Sequence, residues 1–390
     1  MFNARQISDD FYYVGGNDRR LELFENVYPI PDGVSYNSYL LVDDKTVLLD
    51  TADAAIAHQF LENIEHVLDG KPLDYVVVNH MEPDHCATLC DIVVHYPDVK
   101  IVGNTMTFRM MKQFFDFDVD KHAVVVKEGD TLETGHHVLN FVTTPMVHWP
   151  EVMVSYESSE KILFSADAFG KFGTVDADEA WNCEARRYYF NIVGKYGKPV
   201  QTLLGKAAKL DIATICPLHG PVLTDTIPEV IELYKKWSAY EPENEGVFIA
   251  CASIHGNTWL AAQKLKEILE EKGCPRVAIA DLTRDDLAEA VEDGFRHRVL
   301  VCMASSYDAG VFTPMEDYLN RLEHKAFQNR TVALVENASW APSAIKAMKA
   351  HFEKMANITL VDKTVTIKTR LTDAYVKELE ELADEIMQKF

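Results

Sequence analysis

Residues 79–89 read NHMEPDHCATL, and they follow the run LDYVVV at 73–78. That run is short and rich in β-branched residues, which predicts a buried strand over 74–79. Four strong metal-binding side chains, His80, Glu82, Asp84 and His85, crowd its tip. Carboxylates packed together among imidazoles repel one another unless a cation sits between them. On an extended or tightly turning segment, residues at i, i+2 and i+4 converge on one side. His80, Glu82 and Asp84 are therefore expected to share a face, with His85 directed elsewhere and Pro83 stiffening the loop. A strand tip suits ligands because the sheet holds the backbone still.

Three further stretches repeat the pattern of a ligand type at a strand end followed by a turn signal. TTPMVHWPEVMV places His148 between two strands, ILFSADAFG places Asp167 at a strand end, and ICPLHGP does the same for His219. Around them, residues 1–240 alternate short strands and helices. NSYLLVDDKTVLLDT at 37–51 reads as a hairpin, and helices are expected at 54–69, 86–96 and 105–116. Many of the strands are antiparallel, which points to two sheets beneath helices.

This order of ligands resembles the metallo-β-lactamase superfamily over roughly residues 30–225. The resemblance implies an αββα sandwich with two metals at one edge of its sheets. Zinc hydrolases of that superfamily carry HxHxDH. Here Glu82 stands where the middle His would be. A carboxylate oxygen is harder than imidazole nitrogen and favours redox-active iron over zinc. With Glu82, Asp84 and Asp167 the set resembles that of non-haem di-iron carboxylate proteins.

At 390 residues the chain is long enough for two domains. The polar stretch EPENEG at 241–246 suits a short linker, giving domains 1–243 and 244–390. Past it, five strand–helix units alternate, which predicts a doubly wound parallel sheet. Its first turn, Ser253, Ile254, His255, Gly256, Asn257 and Thr258, offers hydroxyls, an amide and free N–H groups at a helix start. That is an uncharged phosphate nest, and it resembles the S-x-x-G-N-T phosphate loop of flavodoxins. The resemblance implies FMN held by this loop and two others. The second contributes Ala304, Ser305, Ser306, Tyr307, Asp308 and Gly310; the third contributes Ala338, Ser339 and Trp340, whose indole is a candidate to stack on the flavin.

Together the two halves resemble the flavodiiron proteins (A-type flavoproteins) over nearly the whole chain. The resemblance implies an oxidoreductase passing electrons from FMN to a non-haem di-iron centre that reduces O₂ to water, NO to N₂O, or both. Carried over by position, His80, Glu82, His148 and Asp167 fall to one iron; Asp84, His85, His219 and the bridging Asp167 fall to the other. It further implies a separate rubredoxin-type electron donor and a head-to-tail homodimer or dimer of dimers. The flavin half departs from the family pattern. Asp308 stands where an Asn is common, adding negative charge beside the flavin and opposing its anionic reduced form. The competing reading is a zinc hydrolase of the metallo-β-lactamase type with a passenger flavodoxin-like module, against which Glu82 argues. Reduction of either gas consumes protons. In CEARRYYFNIVGKYG at 183–197, Tyr188 and Tyr189 point about 100° apart on a helix. Tyr189 is taken as the metal-facing one.

Bulk properties narrow the partners and the compartment. A net charge of −23 disfavours nucleic acid and anionic membrane surfaces. No apolar run reaches a membrane span, and the N-terminus lacks a signal-peptide pattern. Seven scattered cysteines without a CxxC pair indicate reduced thiols in a cytoplasm, and no rubredoxin-type centre within the chain.

Overall fold

The computed structural model describes residues 3–390. The chain divides into two compact units. The first runs to Tyr189 and takes in Lys198–Tyr234; the second comprises Phe190–Gly197 and Lys235–Phe390. Residues 190–197 and 235–243 thus group with the later part of the chain, across the boundary expected at 243.

The first unit holds a seven-stranded and a five-stranded sheet. The larger pairs Arg5–Gln6, Phe11–Tyr13, Tyr39–Val42 and Thr46–Leu49 antiparallel, then continues in parallel through Tyr75–Val77, Lys100–Gly103 and Ala123–Val125. The smaller runs antiparallel through Thr131–Glu133, Val138–Thr143, Met153–Glu157 and Ile162–Phe164, and ends with Thr214–Cys216 parallel to the last of these. The sheets face each other across one core. Leu139, Phe141, Ile162 and Phe164 of one pack with Tyr39, Leu41, Val47, Leu49, Val77 and Val102 of the other. In Val138–Thr143 the alternation is plain, with Leu139 and Phe141 fully inward. Each large apolar side chain buried this way contributes about 1.5–3 kcal/mol. Helices Ala57–Leu68, Leu89–His95 and Thr105–Phe114 link the parallel strands. This is the sandwich architecture expected. Tyr75–Val77, Ile162–Phe164 and Thr214–Cys216 each give way, within two or three residues of their carboxyl ends, to the loops carrying His80, Asp167 and His219.

The second unit is a parallel sheet in the order Val277–Asp281, Asn244–Ala252, His297–Tyr307, Arg330–Asn337, Ile358–Leu360. Val365–Ile367 also pairs parallel with Arg330–Asn337, at its carboxyl end, beside Ile358–Leu360 on the same edge. By sequence the order is 2-1-3-4-5, that of flavodoxin-like folds, in which the direction of winding reverses between the first and third strands. The loops after those strands therefore open side by side at one end of the sheet.

Candidate functional site

The tip of Tyr75–Val77 is held before it binds anything. Asp50, wholly buried at the end of Thr46–Leu49, accepts hydrogen bonds from the Asn79 backbone N–H (2.7 Å), the Asn79 side-chain amide (2.8 Å) and the His80 N–H (3.1 Å). Burial pushes the Asp50 carboxyl up to about 6 against those hydrogen bonds. Pro83 then opens a single helical turn, Pro83–Cys86. The turn corrects the expectation that His80, Glu82 and Asp84 share one side. It swings Asp84 and His85 together, away from His80 and Glu82.

Two clusters result: His80, Glu82, His148 and Asp167; and Asp84, His85 and His219. In the first, Glu82 Oε2 lies 3.3 Å from His80 Nε2 and 2.9 Å from His148 Nε2. Asp167 Oδ2 lies 3.3 and 3.0 Å from the same two nitrogens. In the second, Asp84 Oδ2 is 3.3 Å from both His85 Nε2 and His219 Nε2, and the two imidazole nitrogens are 3.1 Å apart. Asp167 spans the two, its other oxygen, Oδ1, lying 3.2 Å from His85 Nε2. All seven expected ligands are therefore brought to one place.

Burial opposes the charges of these groups, but they hold one another ionised. The carboxylates of Asp167 and Glu82 push the His148 imidazole up to about 9, and those of Asp167, Glu151 and Glu82 raise His80 well above the ordinary imidazole range. The imidazoles in turn hold the Asp167 carboxyl far below the usual carboxylate range. Among the described residues, both Asp84 oxygens, Asp167 Oδ1 and His85 Nδ1 are buried without a hydrogen-bond partner. Buried polar atoms seldom go unpaired. Carboxylate oxygens close to several imidazole nitrogens, yet without hydrogen-bond geometry to them, are disposed as donors to a shared cation. The donor set, four imidazoles and three carboxylates, fits a pair of iron ions.

Groups outside the expected set complete the surroundings. Glu151, 1% exposed, lies 2.8 Å from His80 Nδ1 and accepts the Met81 N–H at 2.9 Å. His219 Nδ1 is 2.7 Å from the Ser35 carbonyl. Phe24, Tyr36 and Tyr188 wall His219, with ring centroids at 5.5, 6.1 and 5.5 Å. The choice of Tyr189 as metal-facing is corrected here. Tyr188 faces His219, while Tyr189, about 100° further round the helix, packs on Tyr234 at 5.1 Å. Burial and the charges of Asp167, Asp84 and Glu82 keep the Tyr188 hydroxyl protonated. Glu151 lies three residues past His148, inside a stretch already marked, and Asp50 ends a strand. Nothing in their spacing distinguished them from surface acids. Phe24 lies far away in sequence, on the small hairpin Leu23–Phe24/Tyr28–Pro29, and carried no signal.

In the second unit the three expected loops enclose a cavity of about 720 Å³, well within the range of cofactor sites. Ser253, Ile254, His255, Asn257, Thr258, Ser305, Ser306, Tyr307, Asp308, Ala338, Ser339 and Trp340 line it. Gly256, Ala304 and Gly310 do not. Gly256 takes φ +86° to turn the loop, and its N–H bonds Ser253 Oγ at 3.0 Å. Ala304 is fully buried in the sheet, paired with Ala252 and Glu336, because the strand runs on to Tyr307. Gly310 pairs with Tyr307 in a hairpin whose turn, Asp308–Ala309, has positive φ at both residues. Thr258 Oγ1 meets Ser305 Oγ at 3.1 Å, joining the first loop to the second. Ser306 Oγ accepts from the N–H groups of Ser343 and Ala344, at 2.9 and 3.2 Å. Its hydroxyl oxygen thereby caps the start of the helix Ala344–Phe352. Lys346 and Thr369 also line the cavity and were not anticipated. The residues fit FMN: a helix N-terminus and hydroxyls for a phosphate, and the Trp340 indole, 82% exposed, for a ring face.

Residues 34–220 match the ODP family of beta lactamases. The anaerobic nitric oxide reductase flavorubredoxin of Escherichia coli is 27% identical over 89% of this chain and 74% of its own length. The rubredoxin oxygen:oxidoreductase of Desulfovibrio gigas superposes with a TM-score of 0.91 at 25% identity, covering 99% of this chain and 98% of that one. The chain is thus similar, over nearly its whole length, to flavodiiron proteins. A flavo di-iron protein variant of Thermotoga maritima superposes over 100% of this chain and 98% of its own, with a TM-score of 0.90 at 25% identity. The likeness therefore extends through both units. Among the described residues, no helix is long and apolar enough to cross a membrane.

Proposed function

We propose that this protein is a flavodiiron oxidoreductase that takes electrons from a separate rubredoxin-type donor and reduces O₂ to water, NO to N₂O, or both. One observation carries the reading. Asp167 sends one carboxylate oxygen to each of two imidazole–carboxylate clusters, in a chain that also carries a flavodoxin-like cavity. His80, Glu82, His148 and Asp167 would hold one iron; Asp84, His85, His219 and Asp167 the other. Ser253, Asn257 and Thr258 would hold the FMN phosphate, and Trp340 the ring. When bound, FMN supplies electrons singly, and iron supplies the redox centre at which the gas is reduced.

The chain's own residues do the rest. The buried carboxylates fix the imidazole nitrogens toward the metals and favour iron over zinc. Phe24, Tyr36 and Tyr188 make an aromatic wall on the His219 side that limits water. The Tyr188 hydroxyl is held protonated there and can serve as a hydrogen-bond donor. The similarity to the nitric oxide reductase flavorubredoxin of Escherichia coli and the rubredoxin oxygen:oxidoreductase of Desulfovibrio gigas supports the substrates and the donor class. We further propose a cytoplasmic head-to-tail homodimer, with domains divided near residue 243.

The test is anaerobic purification, followed by iron and flavin analysis and by O₂ and NO consumption with reduced rubredoxin. About two irons and one FMN per chain, with turnover of either gas, are expected. Zinc with hydrolysis of a thioester or lactone, and no flavin, would overturn the reading in favour of the hydrolase.

A further inference from the structure

The histidines of the two clusters are backed unequally. His80 places Nδ1 2.8 Å from Glu151 Oε1, and the Glu151 side chain is fully buried. The same oxygen accepts the Met81 N–H, so the carboxylate is fixed to the backbone of the ligand loop. In the other cluster His219 Nδ1 meets only the neutral Ser35 carbonyl, and His85 Nδ1 is buried with no partner among the described residues. Among the described residues, His80 alone of the four histidines has a carboxylate on Nδ1.

An imidazole whose Nδ1–H donates to a buried carboxylate is more basic at Nε2 and binds a metal more tightly. Extra donation favours the more highly charged ion, so it favours the ferric state over the ferrous. A neutral carbonyl does this less, and an unpartnered nitrogen does not do it at all.

We propose that Glu151 is a positioning residue that makes the two metal positions unequal. Through His80 it holds the ion at the His80–Glu82–His148 position more tightly and in the oxidised state. The His85–His219 position therefore accepts an electron first and gives up its metal first. The step is a one-electron reduction of ferric to ferrous ion, the electron coming from the flavin. This inference rests on the di-iron reading above.

The test uses the holoenzyme, with iron oxidation followed by electron paramagnetic resonance during a redox titration, and with graded chelation by EDTA. In the wild type two iron midpoints are expected, and one metal per chain is expected to survive an EDTA level that removes the other. Glu151→Gln keeps an acceptor for both N–H groups but removes the charge. It should weaken the retained metal about 10–100-fold, so both metals leave together. A tenfold loss of ferric over ferrous preference raises the lower midpoint by about 59 mV, while the upper midpoint stays. Glu151→Asp restores the charge and should recover part of the separation. Thermal unfolding of the metal-free variants checks that they fold.

Coincident midpoints in the wild type would overturn the inference, and that result needs no variant. So would a Glu151→Gln protein with full iron and FMN and both midpoints unmoved, or with both moved equally. A wild type that binds no iron would overturn the functional reading itself, and this inference with it.

Discussion

The two candidate sites solve the problem of holding a cofactor in opposite ways. The first unit gathers ionised groups and buries them: His80, His85, His219 and Asp167 are all at most 1% exposed. The second offers mostly neutral groups around an open cavity. Its indole, Trp340, is 82% exposed, and Asp308 and Lys346 are the acidic and basic residues of the lining. Burying a charge costs several kcal/mol unless it is paired, so the first site suits a ligand that brings concentrated positive charge. A phosphate brings its own negative charge and its own hydration. A nest of N–H and hydroxyl groups suffices for it. The buried ionic site is built on short loops and a helical turn pinned to strand ends, whereas the neutral one is built by loops at the open end of a sheet.

The largest effect should come from the loop site. Replacing Asn257 and Thr258 together with Ala removes a helix-start amide and the hydroxyl that meets Ser305. Hydrogen bonds to a charged group contribute about 1.5–3 kcal/mol each, so FMN should bind roughly 10²–10⁴-fold more weakly, read by flavin fluorescence titration. Iron content should not change. If the two sites were not separable in this way, iron would fall together with flavin.

Glu82→His tests the other side. It swaps an anionic oxygen for a neutral nitrogen at a point 2.9 Å from His148 and 3.3 Å from His80. Iron should be displaced by zinc, and O₂ turnover should fall about 100-fold or more, with FMN fully retained. Metal analysis and oxygen-electrode rates check it. Retained iron with full turnover would show that the carboxylate does not set the metal preference.

Most of this comparison was legible in the sequence, for a physical reason. Metal ligands at strand ends and a phosphate nest at a helix start are local patterns, carried by neighbours in the chain. The hairpin expected at 37–51 forms as Tyr39–Val42 and Thr46–Leu49, and the strand–helix alternation past 244 forms the parallel sheet. What failed depends on rotation and on long-range packing. The turn begun by Pro83 redirected Asp84, and one residue of helical phase exchanged Tyr189 for Tyr188. The strand His297–Tyr307 runs through the expected second loop and holds Ala304 fully buried in the sheet, out of the cavity. Glu151, Asp50 and Phe24 act across the fold, so their roles were silent until the sheets were closed.

The smallest effect concerns a cluster with the same residue types and a different reason for being there. Asp10, His137 and Glu160 also bring three candidate ligand atoms together. His137 Nε2 lies 3.1 Å from Asp10 Oδ2, and its Nδ1 lies 3.1 Å from the fully buried Glu157. Unlike the metal ligands, Asp10 is 45% exposed in its side chain, so water already answers its charge. Burial disfavours the imidazolium, but the carboxylates of Asp10 and Glu157 beside it outweigh that and hold the His137 pKa above the ordinary value. A proton therefore does here what a metal is proposed to do 11 residues further along the chain, at His148. A raised imidazole pKa contributes stability that is fully present below the unfolded value, near 6.5, and is lost as the pH rises through the folded value. His137→Asn should accordingly lower the melting temperature of the first unit most at pH 6 and progressively less toward alkaline pH. Metal content should stay at two per chain throughout. Calorimetry at several pH values, with metal analysis on the same samples, decides it. A third metal in the wild type that disappears in His137→Asn would place this cluster with the buried sites instead.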